Sequence, residues 1–236
     1  MRALTTEELR NRKPTRATFL AAPRNPFSVV LDNLTSGFNT GAIFRTSDAF
    51  LAQCIYLCGT TPTPPRAAIT KTSMGTDRWV PWEHHTDPAA LVTTLRERGT
   101  HIVAVELADV GVPPQEAEMR FPLAFILGDE MLGIRPEVLA LADSAITIPM
   151  LGMANSLSVV SAYAIIAHEA ATRSSLGLEA GSAGQQIRRL RHRRGWTLRE
   201  CGQRAGVSYA TIANIENGRS QPTPTTLRKL SRALLG

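Results

Sequence analysis

Three short polar stretches carry the residue types that chemistry needs. In NTGAIFRTSDAF, Asn39 stands where it can cap a helix, and Gly41 and Ala42 leave room for a close approach. Arg45 projects about one and a half turns further on. In LGDEMLGI, Gly128 ends an apolar run and Glu130 follows in a tight loop. A carboxylate there also suits the positive end of a helix dipole. In IPMLGMANSLSVVSAYAIIAHEA, Ser156 or Ser158 caps a helix that is apolar over most of its circumference. Such a helix wants burial on several sides, as at a subunit interface. An amide, a guanidinium, a carboxylate and a hydroxyl can hold and orient a polar group, and singly each also serves structure alone. Other chemistries are excluded by missing signatures: G-x-G-x-x-G, the P-loop, H-E-x-x-H and G-x-S-x-G. Cys54 and Cys58, four apart in CIYLC with no His beside them, read as buried thiols, and no metal site is expected.

The elements that must position these residues are legible as alternating runs. FSVVLDNL, CIYLCG, HIVAVEL, LAFILG and SAITIPM are strand-like, and GAIFRTSDAFLA, PAALVTTLRERG and RPEVLALAD are helix-like. Continuous apolar strands alternating with helices predict an α/β domain, a mainly parallel sheet covered on both faces. Ligands then bind in loops beyond the strand carboxyl ends, here TSGFNTG, ELADVG, GDEMLG and PMLGMANS. The expected division is a basic leader over 1–24, the α/β domain over 25–175, a Gly-rich linker over 176–186 and an all-α domain over 187–236.

The last segment is wholly helical in pattern. QQIRRLRHRRG stops at Gly195, and a second helix begins with Thr197 as cap and Glu200 completing a capping box. Ser208 caps a third helix, YATIANIEN, stopped by Asn217 and Gly218. Gly202 suits the close crossing of two helices, Val207, Ile212 and Ile215 fill the space beneath, and PTPTTLRKLSRALL closes the core. Two short helices joined by a Gly-containing turn are a helix-turn-helix. Residues 185–235 resemble the Cro and phage-repressor helix-turn-helix family. The resemblance implies that Tyr209, Ala210 and Asn214 face base edges while Thr211 and Arg219 reach backbone phosphates.

Residues 20–175, through the three polar stretches and the intervening IYLCGTTPTPPRAAITKTSMGTDRWVPWEH, resemble the SpoU (TrmH-like) branch of the SPOUT RNA methyltransferases. The resemblance implies a SPOUT trefoil-knot domain, a homodimer, and S-adenosyl-L-methionine held largely by backbone groups. Gly128, Ile148, Met150 and Leu157 then line the cofactor site, with Glu106 beside them. The implied reaction is methyl transfer to a ribose 2′-hydroxyl of tRNA or rRNA. Arg45 is the implied catalytic centre, with Asn39, Glu130 and Ser156 shaping the pocket. One departure stands out: where the family usually has Ser-Leu-Asn-Val-Ser, this chain has SLSVVS, so Ser158 replaces an asparagine.

Charge divides unevenly. From Gln185 onward eleven Arg and Lys face two Glu, a balance of +9, while residues 1–184 hold fifteen basic and eighteen acidic groups, a balance of −3. Phosphate affinity follows such basic patches, so the C-terminal segment is the expected nucleic-acid surface, for RNA or DNA. The leader, with Arg2, Arg10, Arg12, Lys13, Arg16 and Arg24, reads as a solvated arm. Three cysteines, no long apolar run and a charged start predict a cytoplasmic protein without a membrane partner. The competing expectation is a DNA-binding transcription regulator that uses a weak or inactive SPOUT domain to dimerise or to sense the cofactor.

Overall fold

The computed structural model describes residues 2–11, 19–20, 23–174 and 183–235. Arg12, Lys13 and Arg16 of the leader, and 176–182 of the expected linker, lie outside the described residues. The chain divides into two compact units, Arg24–Leu178 and Met1–Pro23 together with Glu179–Gly236. The latter begins with a short helix, α1 (Thr6–Asn11).

The larger unit is built on six parallel strands. They are β1 (Phe27–Asp32), β2 (Ile55–Cys58), β3 (Trp82–His85), β4 (His101–Val105), β5 (Leu123–Gly128) and β6 (Ser144–Ile146). Their order is β3-β2-β1-β5-β4-β6. The helices are α2 (Gly37–Ala49), α3 (Ala67–Ser73), α4 (Pro88–Glu97), α5 (Pro136–Leu139) and α6 (Val159–Arg173).

Alternate strand residues point to opposite faces. Phe27, Val29, Leu31 and Phe125 pack with Phe44, Ile69, Tyr163 and Ile166 of α2, α3 and α6. Val30, Ala124 and Ile126 face the other way, with Leu91, Leu95 and Val138 of α4 and α5. Burial on both faces is why these strands read as unbroken apolar runs. The strand order reverses at β1, which lies between β2 and β5, with Asp32 opposite Gly128 at the carboxyl ends. Loops diverge at such a switch point and leave a crevice.

Two strands and one leader residue differ from the sequence reading. β3 is WEHH, an edge strand without a fully buried residue, so no apolar run marks it. β6 stops at Ile146, where Val112 pairs with it, and 147–150 are not strand. Arg24 is half-buried rather than solvated, and its guanidinium donates to the carbonyls of Ala52 and Trp79, both at 3.2 Å.

The C-terminal helices are α7 (Ala183–Arg193), α8 (Leu198–Ala205), α9 (Tyr209–Glu216) and α10 (Pro224–Leu235). α7 therefore takes in the last four residues of the expected linker, AGQQ. Gly184 serves packing there: a Cβ would stand 1.9 Å from the carbonyl oxygen of Ile215. Ile187, Leu190, Cys201, Ile212, Ile215, Leu227 and Leu230 form the core. The Thr197–Glu200 capping box and the Ser208 cap are present. Val207 is half-buried, and a Cβ on Gly202 would meet its carbonyl oxygen at 2.6 Å. A buried ion pair ties α7 to α9: Arg191 donates from Nε and Nη2 to the two carboxylate oxygens of Glu216, each at 2.7 Å.

Candidate active site and nucleic-acid interface

At the carboxyl ends of the central strands, segments following β4, β5 and β6 enclose a cavity of about 560 Å³, within the range of roughly 300–1,000 Å³ common for small-molecule clefts. Glu106, Gly128, Glu130, Ser156 and Leu157 all line it. Ile148 and Met150 line an adjoining hollow of about 100 Å³ that shares Glu106, Ser156 and Leu157. The five residues singled out for the cofactor thus come together, although they span 52 positions of sequence from Glu106 to Leu157 counted inclusively.

Asn39 is not the cap of α2. Ser36 is, its Oγ accepting the N–H of Asn39 at 3.3 Å. The Asn39 side chain is thereby free to donate from Nδ2 to Oε1 of Glu130, joining the first turn of α2 to the loop after β5. Of the two candidate serines before α6, Ser158 is the cap, accepting the N–H of Ser161 at 3.3 Å, and Ser156 faces both hollows. Arg45 lies on α2, exposed, outside both hollows and without a hydrogen bond or ion pair among the described residues.

Several site-building residues escape a reading by motif. Asp32, its side chain fully buried, accepts the backbone N–H of Arg135 at 3.1 Å and Nε of the same residue at 3.0 Å. Asp129 accepts the N–H groups of Met131 at 2.9 Å and Leu132 at 3.3 Å, and Thr35 Oγ1 at 3.1 Å. The Met131 N–H leads in holding the Asp129 carboxyl below its ordinary range. Thr147 Oγ1 donates to the carbonyl of Glu106 at 2.8 Å, drawing the segments after β4 and β6 together. Their signal was an acid or threonine directly after an apolar run, as in VVLD, ILGD and AIT.

Glu106 is occupied by backbone: Oε1 accepts the N–H of Leu107 at 3.0 Å and Oε2 that of Ile134 at 3.2 Å. Gly128 has no room for a side chain, since a Cβ would lie 2.1 Å from the carbonyl carbon of Gly133. The glycine is required by the loop folding back on it. Cys54 and Cys58 are buried, which pushes both thiols up to about 12.

In the helical unit Tyr209, Ala210, Thr211, Asn214 and Arg219 are all exposed, four of them on α9 and Arg219 just beyond it. The guanidinium of Arg199 sits 5.7 Å from the Tyr209 ring. The Thr211 hydroxyl lies 2.8 Å from that of Ser208, so it is partly engaged by the helix cap.

Comparison with known proteins gives two matches along the chain. Residues 26–168 match the SpoU rRNA Methylase family, and 182–235 match a helix-turn-helix domain. The tRNA (guanosine(18)-2′-O)-methyltransferase of Thermus thermophilus is 38% identical over 146 residues, 61% of this chain and 73% of that enzyme. The solved TrmH/SpoU tRNA modifying enzyme of A. aeolicus superposes with a TM-score of 0.60 at 31% identity, covering 66% of this chain and 79% of that one. An AdoMet-bound rRNA methyltransferase from Sinorhizobium meliloti gives 0.58 at 27% identity, over 67% of this chain and 60% of that one.

Proposed function

Since the chain belongs to the SpoU rRNA Methylase family, we propose that it transfers a methyl group from S-adenosylmethionine to a ribose 2′-hydroxyl of tRNA or rRNA. The observation that carries the reading is the lining of the larger cavity: Glu106, Asp129 and Glu130 supply carboxylates, and among the described residues no Lys, Arg or His joins them. A site of that sign suits a cofactor bearing a cationic sulfonium and repels one bearing phosphates. Ile148, Met150 and Leu157 add apolar surface.

When bound, S-adenosylmethionine supplies a methyl group already activated on its sulfonium. The chain must then align the ribose oxygen with it, a positioning task that can lower a barrier by several kcal/mol. Arg45 holds the neighbouring phosphate and orients the hydroxyl. A guanidinium stays protonated at physiological pH, so the proton goes to phosphate or water instead. The Asn39–Glu130 contact fixes the start of the helix that carries Arg45, and Ser156 shapes the pocket wall.

The helical unit holds nucleic acid, and we assign the RNA substrate to it. Eleven Arg and Lys against two Glu from residue 185 onward supply the attraction. The reading also includes a cytoplasmic homodimer, whose contact would cover Met131, Leu132, Leu151 and Met153, all largely exposed. Among the described residues no helix is long and apolar enough to cross a membrane.

The experiment is methyl transfer from radiolabelled S-adenosylmethionine into tRNA and rRNA, followed by alkaline digestion. An alkali-resistant labelled dinucleotide is expected, because ribose methylation blocks cleavage at that phosphate. Absence of label from every RNA, with cofactor binding intact, would favour the regulator and make Ser158 the first residue to restore to asparagine.

A further inference from the structure

Five consecutive backbone N–H groups, from Met131 to Arg135, are accepted inside the protein. Asp129 takes three of them: Oδ1 accepts Met131 and Leu132, and its carbonyl accepts Gly133 at 2.9 Å. Glu106 Oε2 accepts Ile134, and Asp32 Oδ2 accepts Arg135. The three acids stand at or just past the ends of three different strands, β1, β4 and β5. We infer that Asp32, Glu106 and Asp129 are positioning residues that lock the loop 129–135 in its ligand-receiving shape before a ligand arrives. Glu106, whose charge faces the cavity, thus acts on the cofactor through the loop backbone as well.

The surrounding geometry supports a preformed clamp. Gly133 has φ +69°, and a Cβ there would stand 2.8 Å from Glu106 Oε2, so the turn that aims Ile134 at Glu106 requires a glycine. Asp32 grips Arg135 twice, through its backbone and through Nε, and Asn33 Nδ2 steadies the same carboxylate at 2.8 Å. Thr35 Oγ1 ties Asp129 back to the segment after β1. With these donors spent, the stretch 131–135 can offer a ligand acceptors but no backbone N–H. Apparent affinity falls by the fraction of molecules whose loop is out of place, so a prelocked loop raises affinity without any new contact.

The inference rests on the cavity being the cofactor site, but its first test does not. Amide hydrogen exchange of the cofactor-free protein, resolved residue by residue, is expected to show 131–135 protected. Glu106→Ala should expose Ile134, and Glu106→Gln, which keeps an acceptor oxygen, should restore most of its protection. The second test compares S-adenosylhomocysteine with its 2′,3′-dideoxyribose analogue. Glu106→Ala should weaken both by the same factor, about 10- to 100-fold for a lost charge-assisted hydrogen bond. Amides that exchange freely until ligand is added would overturn the clamp, and so would a loss confined to the ligand with ribose hydroxyls. If neither ligand binds the unaltered protein, the cofactor reading fails while the exchange result still decides the clamp.

Discussion

In the sheet unit the acids at the strand ends are turned onto backbone N–H groups, whereas in the helical unit Tyr209, Asn214 and Arg219 stand out in solvent. A cavity for a small ligand gains from being built beforehand, because each loop residue ordered on binding costs affinity. A surface for nucleic acid gains from free side chains on a rigid support. Here that support is the core under α9, the glycine crossing at Gly202 and the Arg191–Glu216 pair. Substitutions should therefore act through shape in the first unit and through direct contact in the second. Arg45 is the exception in the sheet unit, an exposed cation without a partner among the described residues.

The sharpest way to use that exception is Arg45→Ala. It should cut the methyl-transfer rate by about 10²- to 10³-fold, as loss of one oriented electrostatic contact does, with cofactor affinity by calorimetry unchanged. A matching loss of cofactor affinity would mean that Arg45 belongs to the cavity after all. Of comparable size is Arg191→Ala, which strands Glu216 in a position where its side chain is 4% exposed. Breaking a buried pair costs about 3–5 kcal/mol, so the helical unit should unfold at lower denaturant while cofactor affinity holds.

Thiol labelling at pH 8 reads the two units separately. Burial raises the pKa of Cys54 and Cys58 to about 12 and that of Cys201 in the same direction, so all three stay protonated and inert in the folded protein. Arg191→Ala should speed modification at Cys201 alone. Faster reaction of Cys54 or Cys58 would show that the units open together.

Smaller effects concern one side chain each. Asn214→Ala should weaken binding to a preferred nucleic-acid sequence by about 1–3 kcal/mol, the worth of a bidentate base contact, and leave the melting curve in place because the side chain is exposed. An equal loss on every sequence would make Asn214 a backbone contact. Ser158→Ala should cost about 1 kcal/mol by removing the α6 cap. Ser158→Asn, another good cap, should be near neutral in a thermal melt, so any change in its transfer rate reports on chemistry.

Much of this was legible in the sequence, and the failures share a cause. Periodicity exposes what faces a core, so five of the six strands and the helix-turn-helix were readable from apolar spacing and caps. β3 was not, because WEHH at a sheet edge buries no residue fully. AGQQ looked like linker because Gly184 signals flexibility in sequence and close packing in space. The cavity residues could be named from the motifs, but which partner each one holds could not. Asn39 bonding Glu130 joins positions 91 apart, and Asp32 bonding Arg135 joins positions 103 apart. Asn39 is not the cap because the helix starts earlier, at Gly37, and Ser36 accepts the N–H of Asn39 itself.

The division of labour itself is tested by steady-state methyl transfer with Tyr209→Ala, Asn214→Ala and Arg219→Ala combined, fitted separately for RNA and for S-adenosylmethionine. The predicted result is an RNA KM raised at least about 5-fold, the low end for losing one base contact, with kcat and the cofactor KM unchanged. An unchanged RNA KM, or no transfer even by the unaltered chain, would contradict it.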